Sequence, residues 1–578
     1  MRSLFAVPDP RRALVLPAVL LLAALIRLPF LPGVGRIVNS DDAMTGIMAL
    51  SILRGEYPVF FPGQGYMGSL EAYAAAILFW MFGPRPALIY AVPFVLSIVV
   101  VGLSYRLGRN LLGEDGGLMT ALALALAPPF LVIFGSAPRL GYIETLALGT
   151  ILLLLGIRLA GNHRPRGERS LLLILGVVAG VGFWTNWLIA PYVGTVIVLL
   201  LRHRRRLVIG PGMGWAALGF VAGSLPFWVF NFGHGFWSFA LLESGPSGET
   251  WPRARRLFLE ALSYVAGMRN LSAGEWFPPS AVPLGAGYAL LLAGWIVARR
   301  NDDGGNKEML SAGTLTAGVL AGFTLLSFML SRYGDLGAPR YIFPFYTALA
   351  LFAGGGVSSA RTRWGRGWLL ALPILAGNVA GVAGAYADIR GGAMAATAFA
   401  GNQVGFAGLR PPAGMEPAAE REVPALRPLV SFLERKGIDS VIADYGISVR
   451  LTLETAERIV AVQPLREKNP AYAAAVGESD RIAIATHGRF TFFEPEAFEE
   501  NLRALGLDFE RTEIGGWRVY YDFKTLGKAS SVPIRPTGWK GEASETRDDP
   551  RLAFDRDVTT RWGSGKPKGP GIWYLLDL

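Results

Sequence analysis

The feature that most limits the possible folds of this chain is a succession of long apolar segments in its first two thirds. Most are close to the roughly 20 residues that a helix needs to cross a lipid bilayer. They cover approximately residues 13–32, 87–105, 118–134, 142–159, 171–201, 215–232, 282–297, 310–330, 341–357 and 368–386. Hydrophobic residues make up 52% of the chain and charged residues 17%, which is unusual for a soluble globular protein. The sequence therefore predicts an integral membrane protein with an all-α membrane domain.

Basic residues concentrate in five connections between these segments. These connections are residues 105–110, 158–169, 202–206, 298–307 and 359–367. Short basic loops usually remain in the cytoplasm. All five can do so only if residues 68–83 form a helix along the membrane surface and residues 171–201 form two short helices that turn near Trp184. This arrangement predicts about eleven spans in the inner (plasma) membrane, with a cytoplasmic N-terminus and an extracytoplasmic C-terminus.

Charge and cysteine content exclude several other classes of function. The chain contains no cysteine, which excludes disulfides, thiolate nucleophiles and cysteine-bound metals. Its net charge of +11 lies largely in the short loops, where basic residues orient a membrane protein. We therefore expect membrane lipids as partners and no nucleic acid.

The chain changes character after residue 388, where the predicted membrane domain, residues 1–388, ends. Residues 389–424 are rich in Gly, Ala and Pro and predict a linker. From residue 425 to residue 527, helical spacing alternates with apolar runs typical of strands, which indicates a small extracytoplasmic α/β domain. Nothing in this domain indicates catalysis.

The last segment, residues 528–578, contains "AFDRDVTTRWGSG" and ends in "IWYLLDL". This pattern resembles the opening of a discoidin-like (coagulation factor 5/8 type C) β-sandwich, a sugar-binding domain that needs more than twice these residues. We therefore expect a partial discoidin-like β segment. A surface hairpin with aromatic residues is the equal alternative.

Two adjacent acids, Asp41 and Asp42, follow the first apolar segment in "VNSDDAMTGIMALSILRGEY". One interpretation is structural: Ser40 or Asp41 caps a helix that ends at Gly55, and acids suit the positive end of its dipole. Capping explains one of the two acids. It does not explain the following "GQGYMGSLEAY", which brings Glu71 and three glycines to the same interface.

The order of these features resembles membrane glycosyltransferases of the GT-C fold. Within that fold the chain is most similar to lipid A aminoarabinose transferases, protein O-mannosyltransferases and Rgt-type sugar transferases. Three later motifs support the resemblance: "GSAPRLGYIE", "GVVAGVGFWTNWL" and "PRYIFPFY". Together these features cover most of residues 1–386. The resemblance implies transfer of a sugar from a polyprenyl-phosphate donor to a hydroxyl acceptor on the extracytoplasmic face.

The resemblance also implies which residues form the site. The first-loop acid of these enzymes corresponds to Asp41, with Asp42 its neighbour, and we expect this pair to be catalytic. Asp41 is expected to orient or deprotonate the acceptor hydroxyl. Arg139 and Arg340 are expected to clamp the leaving phosphate. Glu71 and Glu144 are each expected to hold a sugar hydroxyl, neutralise an arginine or bind a cation. The expected substrate-binding residues are Tyr66, Glu71, Arg139, Tyr142, Glu144, Arg340 and Tyr341.

The donor sugar, the acceptor and any metal remain open in the sequence. Aminoarabinose-transferase-like members carry an acid and a lysine directly after the tyrosine that corresponds to Tyr66, whereas this chain has "MGS" there. Mg²⁺ or Mn²⁺ suits the oxygens of Asp41, Asp42 and Glu144, although adjacent acids are too common to establish a cofactor. The acceptor is a lipid, a glycan or a protein.

A transporter or flippase of a lipid-linked sugar, without chemistry, is the alternative function. Such proteins usually bind their substrate near the bilayer midplane, often between repeated halves. This sequence has no evident internal repeat, and its acids gather at one surface, so glycosyl transfer is favoured. Arg139 and Arg340 also have a structural interpretation, as anchors at the membrane interface.

Overall fold

A computed structural model shows the chain as two compact units. The first contains Met1–Val430 and Tyr445–Val460, and the second contains Ser431–Asp444 and Ala461–Leu578. The residues that the structure describes are 14–31, 40–161, 165–239, 250–270, 274–300, 306–331, 334, 338–364, 367–390, 425–464, 467, 469–487, 495–504, 506–525, 540–543 and 574–577.

The first unit is almost entirely helical in its described part. Its helices before residue 391 are α1 (Val15–Arg27), α2 (Ser40–Leu53), α3 (Leu70–Phe82), α4 (Ala91–Ala125), α5 (Pro129–Phe134), α6 (Tyr142–Ala160), α7 (Glu168–Thr185), α8 (Ala190–Val208), α9 (Met213–Gly223), α10 (Leu225–Gly233), α11 (Thr250–Arg256), α12 (Leu262–Val265), α13 (Pro278–Arg300), α14 (Asn306–Leu330), α15 (Phe345–Trp364) and α16 (Leu372–Arg390). This order agrees with the all-α membrane domain that the apolar segments predict.

Several of these helices are long and apolar enough to cross a membrane. Five segments in the described part of the chain qualify by length and composition: Pro86–Ala125, Tyr142–Ala160, Glu168–Thr185, Ala312–Leu330 and Gly367–Asp388. The bent pair of α8 and α9, whose axes differ by 115°, adds a sixth when counted as one span. The chain is therefore a multi-pass membrane protein, while the count of about eleven spans stays a prediction.

Helix α4 folds back on itself at Gly113. That residue has φ 79° and ψ −175°, which is not helical. A Cβ placed on Gly108 would lie 2.5 Å from the hydroxyl oxygen of Thr120. In a straight helix these two residues would be about 18 Å apart. Residues 91–125 thus form a helical hairpin, with the basic "YRLGRN" connection next to its turn, as two separate apolar segments predict.

The predicted interruption near Trp184 is confirmed. Helix α7 ends at Thr185, and Asn186 takes an extended conformation with φ −165° and ψ 134°. The side-chain oxygen of Asn186 accepts a hydrogen bond from the backbone N–H of Leu188 at 3.0 Å and so caps the next turn. The helix is therefore interrupted here, and α8 begins as a separate helix at Ala190.

A short hairpin lies against this interruption. Strands β1 (Phe60–Phe61) and β2 (Gln64–Gly68) pair antiparallel, and Met67 of β2 bridges to Asn186. The indole N–H of Trp184 donates to the carbonyl of Val59 at 3.0 Å. Helix α3 follows directly; its 13 residues span only about 20 Å, as expected for a helix that does not cross a bilayer.

The second unit is built on a five-stranded sheet in the order β4–β3–β5–β7–β6. Strands β3 and β5 pair in parallel, whereas β5, β7 and β6 pair antiparallel. The strands are β3 (Ser440–Ala443), β4 (Val460–Val462), β5 (Ile482–His487), β6 (Leu507–Ile514) and β7 (Trp517–Thr525). The helices that alternate with them in sequence are α17 (Leu426–Lys436), α18 (Tyr445–Glu454), α19 (Pro470–Gly477) and α20 (Pro495–Ala504).

The alternation of helices and strands agrees with the predicted α/β segment, but α18 was not predicted, and it belongs to the first unit. Strands β8 (Lys540–Ala543) and β9 (Tyr574–Asp577) form an antiparallel pair. The rest of residues 528–578 and nearly all of the proposed linker 389–424 lie outside the described residues. The discoidin-like resemblance and the proposed domain boundaries therefore stay predictions.

Candidate active site

The loop between α5 and α6 has one shape because Gly141 adopts a left-handed conformation. Gly141 has φ 91°, and a Cβ there would lie 2.6 Å from the carbonyl oxygen of Thr185, so only glycine fits. Its N–H donates to the carboxylate of Glu144 at 3.0 Å, in the first turn of α6. These two contacts fix the course of the loop that carries Arg139.

Arg139 meets the two acids at the start of α2. Its Nη1 lies 3.5 Å from Oδ2 of Asp41, and its Nε lies 3.3 Å from Oδ1 of Asp42. Asp42 also accepts a hydrogen bond from the hydroxyl of Tyr90 at 2.5 Å. The side chain of Asp41 is 27% exposed and that of Asp42 is 1% exposed. Asp41 therefore reaches open space, whereas Asp42 is enclosed by its partners.

Glu71 and Glu144 form a second acidic group that is buried. They are 1% and 3% exposed, and their side chains are in contact near Asp42. Glu71 lies in the first turn of α3 and Glu144 in the first turn of α6, where the positive ends of the helix dipoles favour acids. Neither carboxyl group lines the cleft described below, so their contact with substrate stays a prediction.

Arg340 lies in a 3₁₀ turn, Pro339–Ile342, just before α15. Its guanidinium donates to the hydroxyl of Tyr341 at 3.1 Å and lies 5.1 Å from the centre of that ring. The side chains of Tyr66 and Tyr142 also lie near this guanidinium. Among the described residues it forms no ion pair with a carboxylate, so tyrosines provide most of its polar surroundings.

One cleft brings part of the predicted site together. Its lining consists of Asp41, Phe61, Gln64, Met67, Phe134, Pro138, Arg139, Leu140, Tyr142 and Arg340. Four of these residues were predicted from the sequence: Asp41, Arg139, Tyr142 and Arg340. Of the other predicted residues, Tyr66 and Tyr341 adjoin Arg340, whereas Asp42 and the two glutamates are buried. The cleft has one carboxylate and two arginines, a balance that suits an anionic ligand.

Sequence reasoning missed Tyr90 and Gln64. Tyr90 lies near the start of the apolar segment "PALIYAVPFVLSIVVV", and nothing in that segment indicates a hydrogen bond to an acid 48 residues away. Gln64 accepts a hydrogen bond from the hydroxyl of Tyr66 at 2.8 Å within the β1–β2 hairpin. The Pro-Gly pair between its two strands is the signal that could have identified this hairpin.

The described residues contain no group of three or more His, Asp or Glu side chains placed to hold a metal ion. Asp41 and Asp42 face Arg139, and Oε2 of Glu144 accepts a hydrogen bond from Gly141, whereas Oε1 of Glu144 is buried without a hydrogen-bond partner in the described part of the chain. Binding of Mg²⁺ or Mn²⁺ by these carboxylates therefore stays a prediction.

Part of the sequence matches a known protein family. Residues 69–230 match the family described as dolichyl-phosphate-mannose-protein mannosyltransferase. This range includes Glu71, Tyr90, Arg139, Tyr142 and Glu144, and it covers less than half of the chain. No curated protein sequence matches the chain.

The structure is similar to crystal structures of ArnT from Cupriavidus metallidurans. The form bound to undecaprenyl phosphate has a TM-score of 0.56 and 13% identity, and the match covers 89% of this chain and 98% of that chain. For the apo form the values are 0.54, 13%, 88% and 97%. A weaker likeness, with a TM-score of 0.44 and 12% identity, relates 83% of this chain to 70% of the apo oligosaccharyltransferase from Archaeoglobus fulgidus. The likeness to ArnT confirms the predicted GT-C fold.

Proposed function

We propose that this membrane protein with the GT-C fold is a glycosyltransferase that moves a sugar from a polyprenyl phosphate to a hydroxyl acceptor. The observation that carries the proposal is the cleft in which a partly exposed carboxylate, Asp41, lies with two arginines, Arg139 and Arg340. The reaction needs a base for the hydroxyl and a cationic site for the phosphate. By the distribution of basic loops, the cleft lies on the extracytoplasmic side of the plasma membrane.

The comparisons support this class of donor. The description of the matched family names dolichyl-phosphate-mannose, and the crystallised ArnT contains undecaprenyl phosphate. Both are polyprenyl-phosphate compounds, and this chemistry suits a cleft with two arginines at one surface of a membrane protein. The proposal assigns no particular sugar, and the acceptor is a lipid, a glycan or a protein.

Asp41 and Asp42 receive different roles in the proposal. Asp41 lines the cleft, and its partial exposure allows an acceptor hydroxyl to reach the carboxylate. Asp42 is enclosed and holds Arg139 and Tyr90. We therefore propose Asp41 as the base and Asp42 as a positioning residue, whereas the sequence alone led us to expect that both acids are catalytic.

The proposed reaction is a direct displacement at the anomeric carbon. The acceptor oxygen bonds to this carbon while the bond from the carbon to the phosphate oxygen breaks. The hydroxyl proton passes to Asp41, and the electron pair of the broken bond stays on the lipid phosphate. Arg340, with Arg139, stabilises the charge that the phosphate gains.

The test is release of lipid phosphate from a panel of polyprenyl-phosphate sugars by the purified protein in lipid, with acceptor present. Wild type should release it from at least one donor, and Asp41→Asn should be about 10²- to 10⁴-fold slower, the usual range for a general base. Asp42→Asn should lower thermal stability as well as activity, because it removes the charge that faces a buried arginine.

Asp480→Asn, which removes an exposed acid of the second unit, is the control and should release lipid phosphate at the wild-type rate. The proposal would be contradicted if folded wild type and Asp41→Asn bound the lipid sugar equally well and neither released lipid phosphate. Transport of the intact lipid would then be favoured.

A further inference from the structure

Helix α18 lies late in the chain, yet it belongs to the first unit and packs against α2. Seven consecutive residues of α18, 447–453, are buried, as are ten consecutive residues of α2, 42–51. A helix covered on all its faces needs protein neighbours all around it. Helix α18 supplies one such neighbour for the helix that carries Asp41 and Asp42.

The closest approach of the two helices is at Gly46 and Leu453. A Cβ on Gly46 would lie 2.5 Å from Cδ1 and 2.7 Å from Cδ2 of Leu453. Leu453 is 1% exposed, so its side chain fills the notch at Gly46 and has no open space to move into. Gly46 comes one helical turn after Asp42 on nearly the same face of α2. The contact therefore acts close to the acids.

A second contact joins the C-terminal ends of the two helices. Arg54, directly after α2, forms an ion pair with Glu457, three residues after α18. Ala456 and Glu457 have φ values of 49° and 63°, a conformation that residues other than glycine seldom adopt. The hydroxyl of Thr455 donates to the carbonyl of Leu451 at 2.7 Å and stabilises this turn. Strained residues of this kind persist only where the surrounding contacts hold them.

We propose that α18 positions α2 for the reaction, and that Leu453 is the positioning residue that sets the place of Asp41 in the cleft. The inference rests on the proposed function of the cleft. Arg139 and Tyr90 hold the first turn of α2 through its two acids. The packing of Leu453 against Gly46 and the ion pair of Arg54 with Glu457 hold the remainder of the helix. Because displacement of a reacting group by about 1 Å can cost 10²-fold in rate, loosening α2 lowers turnover more than donor binding.

The test combines hydrogen exchange of the α2 amides with transfer kinetics in the full-length protein. For Leu453→Ala we expect faster exchange across α2, a kcat lower by about tenfold, and a donor KM within about twofold of wild type. Leu433→Ala makes the same truncation at a fully buried residue of the second unit and should change neither readout. Leu453→Met, which introduces a side chain of similar volume, should retain wild-type exchange of the α2 amides and wild-type kcat.

A double variant separates the contact from general damage. Helix propensity favours Ala over Gly, so Gly46→Ala is harmful only if its methyl group meets Leu453. We expect Gly46→Ala to lower kcat, and the double variant Gly46→Ala with Leu453→Ala to recover most of it. Recovery of this kind requires that the two residues act on each other.

Two results would overturn the inference: unchanged exchange of α2 in a stably folded Leu453→Ala protein, or wild-type turnover in Gly46→Ala. A wild-type protein that transfers no sugar would instead refute the proposed function. In that case the exchange of the α2 amides still decides whether α18 positions α2.

Discussion

At the scale of single residues, the site depends on the direction in which each of two adjacent acids points. A helix turns neighbouring side chains about 100° apart. Asp42 consequently faces Tyr90 and Arg139 in a closed site, and Asp41 faces the cleft. An enclosed charge is costly unless it is paired, so Asp42 and Arg139 depend on each other.

Arg340 should contribute to sugar transfer by stabilising the charge of the leaving phosphate. We expect Arg340→Gln to lower kcat/KM for the lipid donor by about 10²- to 10³-fold, the range for loss of one group that stabilises developing charge. Arg340→Lys should recover part of this loss, because it retains the charge without the two-pronged geometry. Steady-state kinetics with the donor identified in the release assay measure both effects.

The matched control is Arg85→Gln, which removes an exposed arginine that does not line the cleft. It should retain wild-type kcat/KM. Equal kinetics for Arg340→Gln and wild type would show that Arg340 is an interfacial anchor, the structural alternative that its position in the sequence left open.

At the scale of elements, the site depends on a close approach between the start of α6 and the interruption after α7. Gly141 precedes α6, and its Cα hydrogen points at the carbonyl of Thr185, where any side chain would collide. The same residue donates its N–H to Glu144. The loop with Arg139 is therefore placed by a glycine and an interrupted helix.

Gly141→Ala should destabilise the protein more than Gly55→Ala. Both glycines have positive φ, 91° and 88°, so each substitution costs about 1–2 kcal/mol of backbone strain. Only Gly141 has a neighbour within 4 Å of the added Cβ, which adds the cost of overpacking, about 1–3 kcal/mol. Thermal unfolding of the two purified variants measures the difference. Equal midpoints would refute the close approach.

In the second unit, α20 is joined to the β6–β7 hairpin through Glu499. Its carboxylate accepts hydrogen bonds from Arg511 at 2.7 Å, Tyr520 at 3.1 Å and Arg503 at 3.2 Å. Burial alone would raise the pKa of Glu499, but the hydrogen bonds from Arg511 and Tyr520 outweigh it, and the pKa is lowered. A carboxyl group with a lowered pKa stabilises the folded state at neutral pH.

This contribution should be complete above the unfolded pKa of about 4.3 and should be lost as the pH falls through the lower folded value. We expect hydrogen-exchange protection of β6 and β7, corrected for intrinsic rates, to fall on acidification more in wild type than in Glu499→Gln. Glu513→Gln, which removes a largely exposed acid of β6, should behave as wild type. Identical pH dependence in Glu499→Gln and wild type would contradict this assignment.

At the scale of the whole molecule, patterns that run along the chain were the predictable part. Hydropathy and basic loops predicted the membrane class and the interruption at Asn186, and the resemblance predicted the GT-C fold. Contacts between distant segments were not predictable from local patterns. The hydrogen bond from Tyr90 to Asp42 and the packing of α18 against α2 depend on which surfaces meet, and neither local sequence indicates its partner.

The central claim concerns the whole protein: it performs chemistry on a lipid-linked sugar and does not only move it. The most direct test uses sealed liposomes that contain the purified protein and a labelled polyprenyl-phosphate sugar, with acceptor outside. Release of lipid phosphate and transbilayer movement of the intact lipid are measured in the same sample. We predict release by wild type that is nearly lost in Asp41→Asn. Movement of the intact lipid at equal rates in both proteins, without release, would contradict the account.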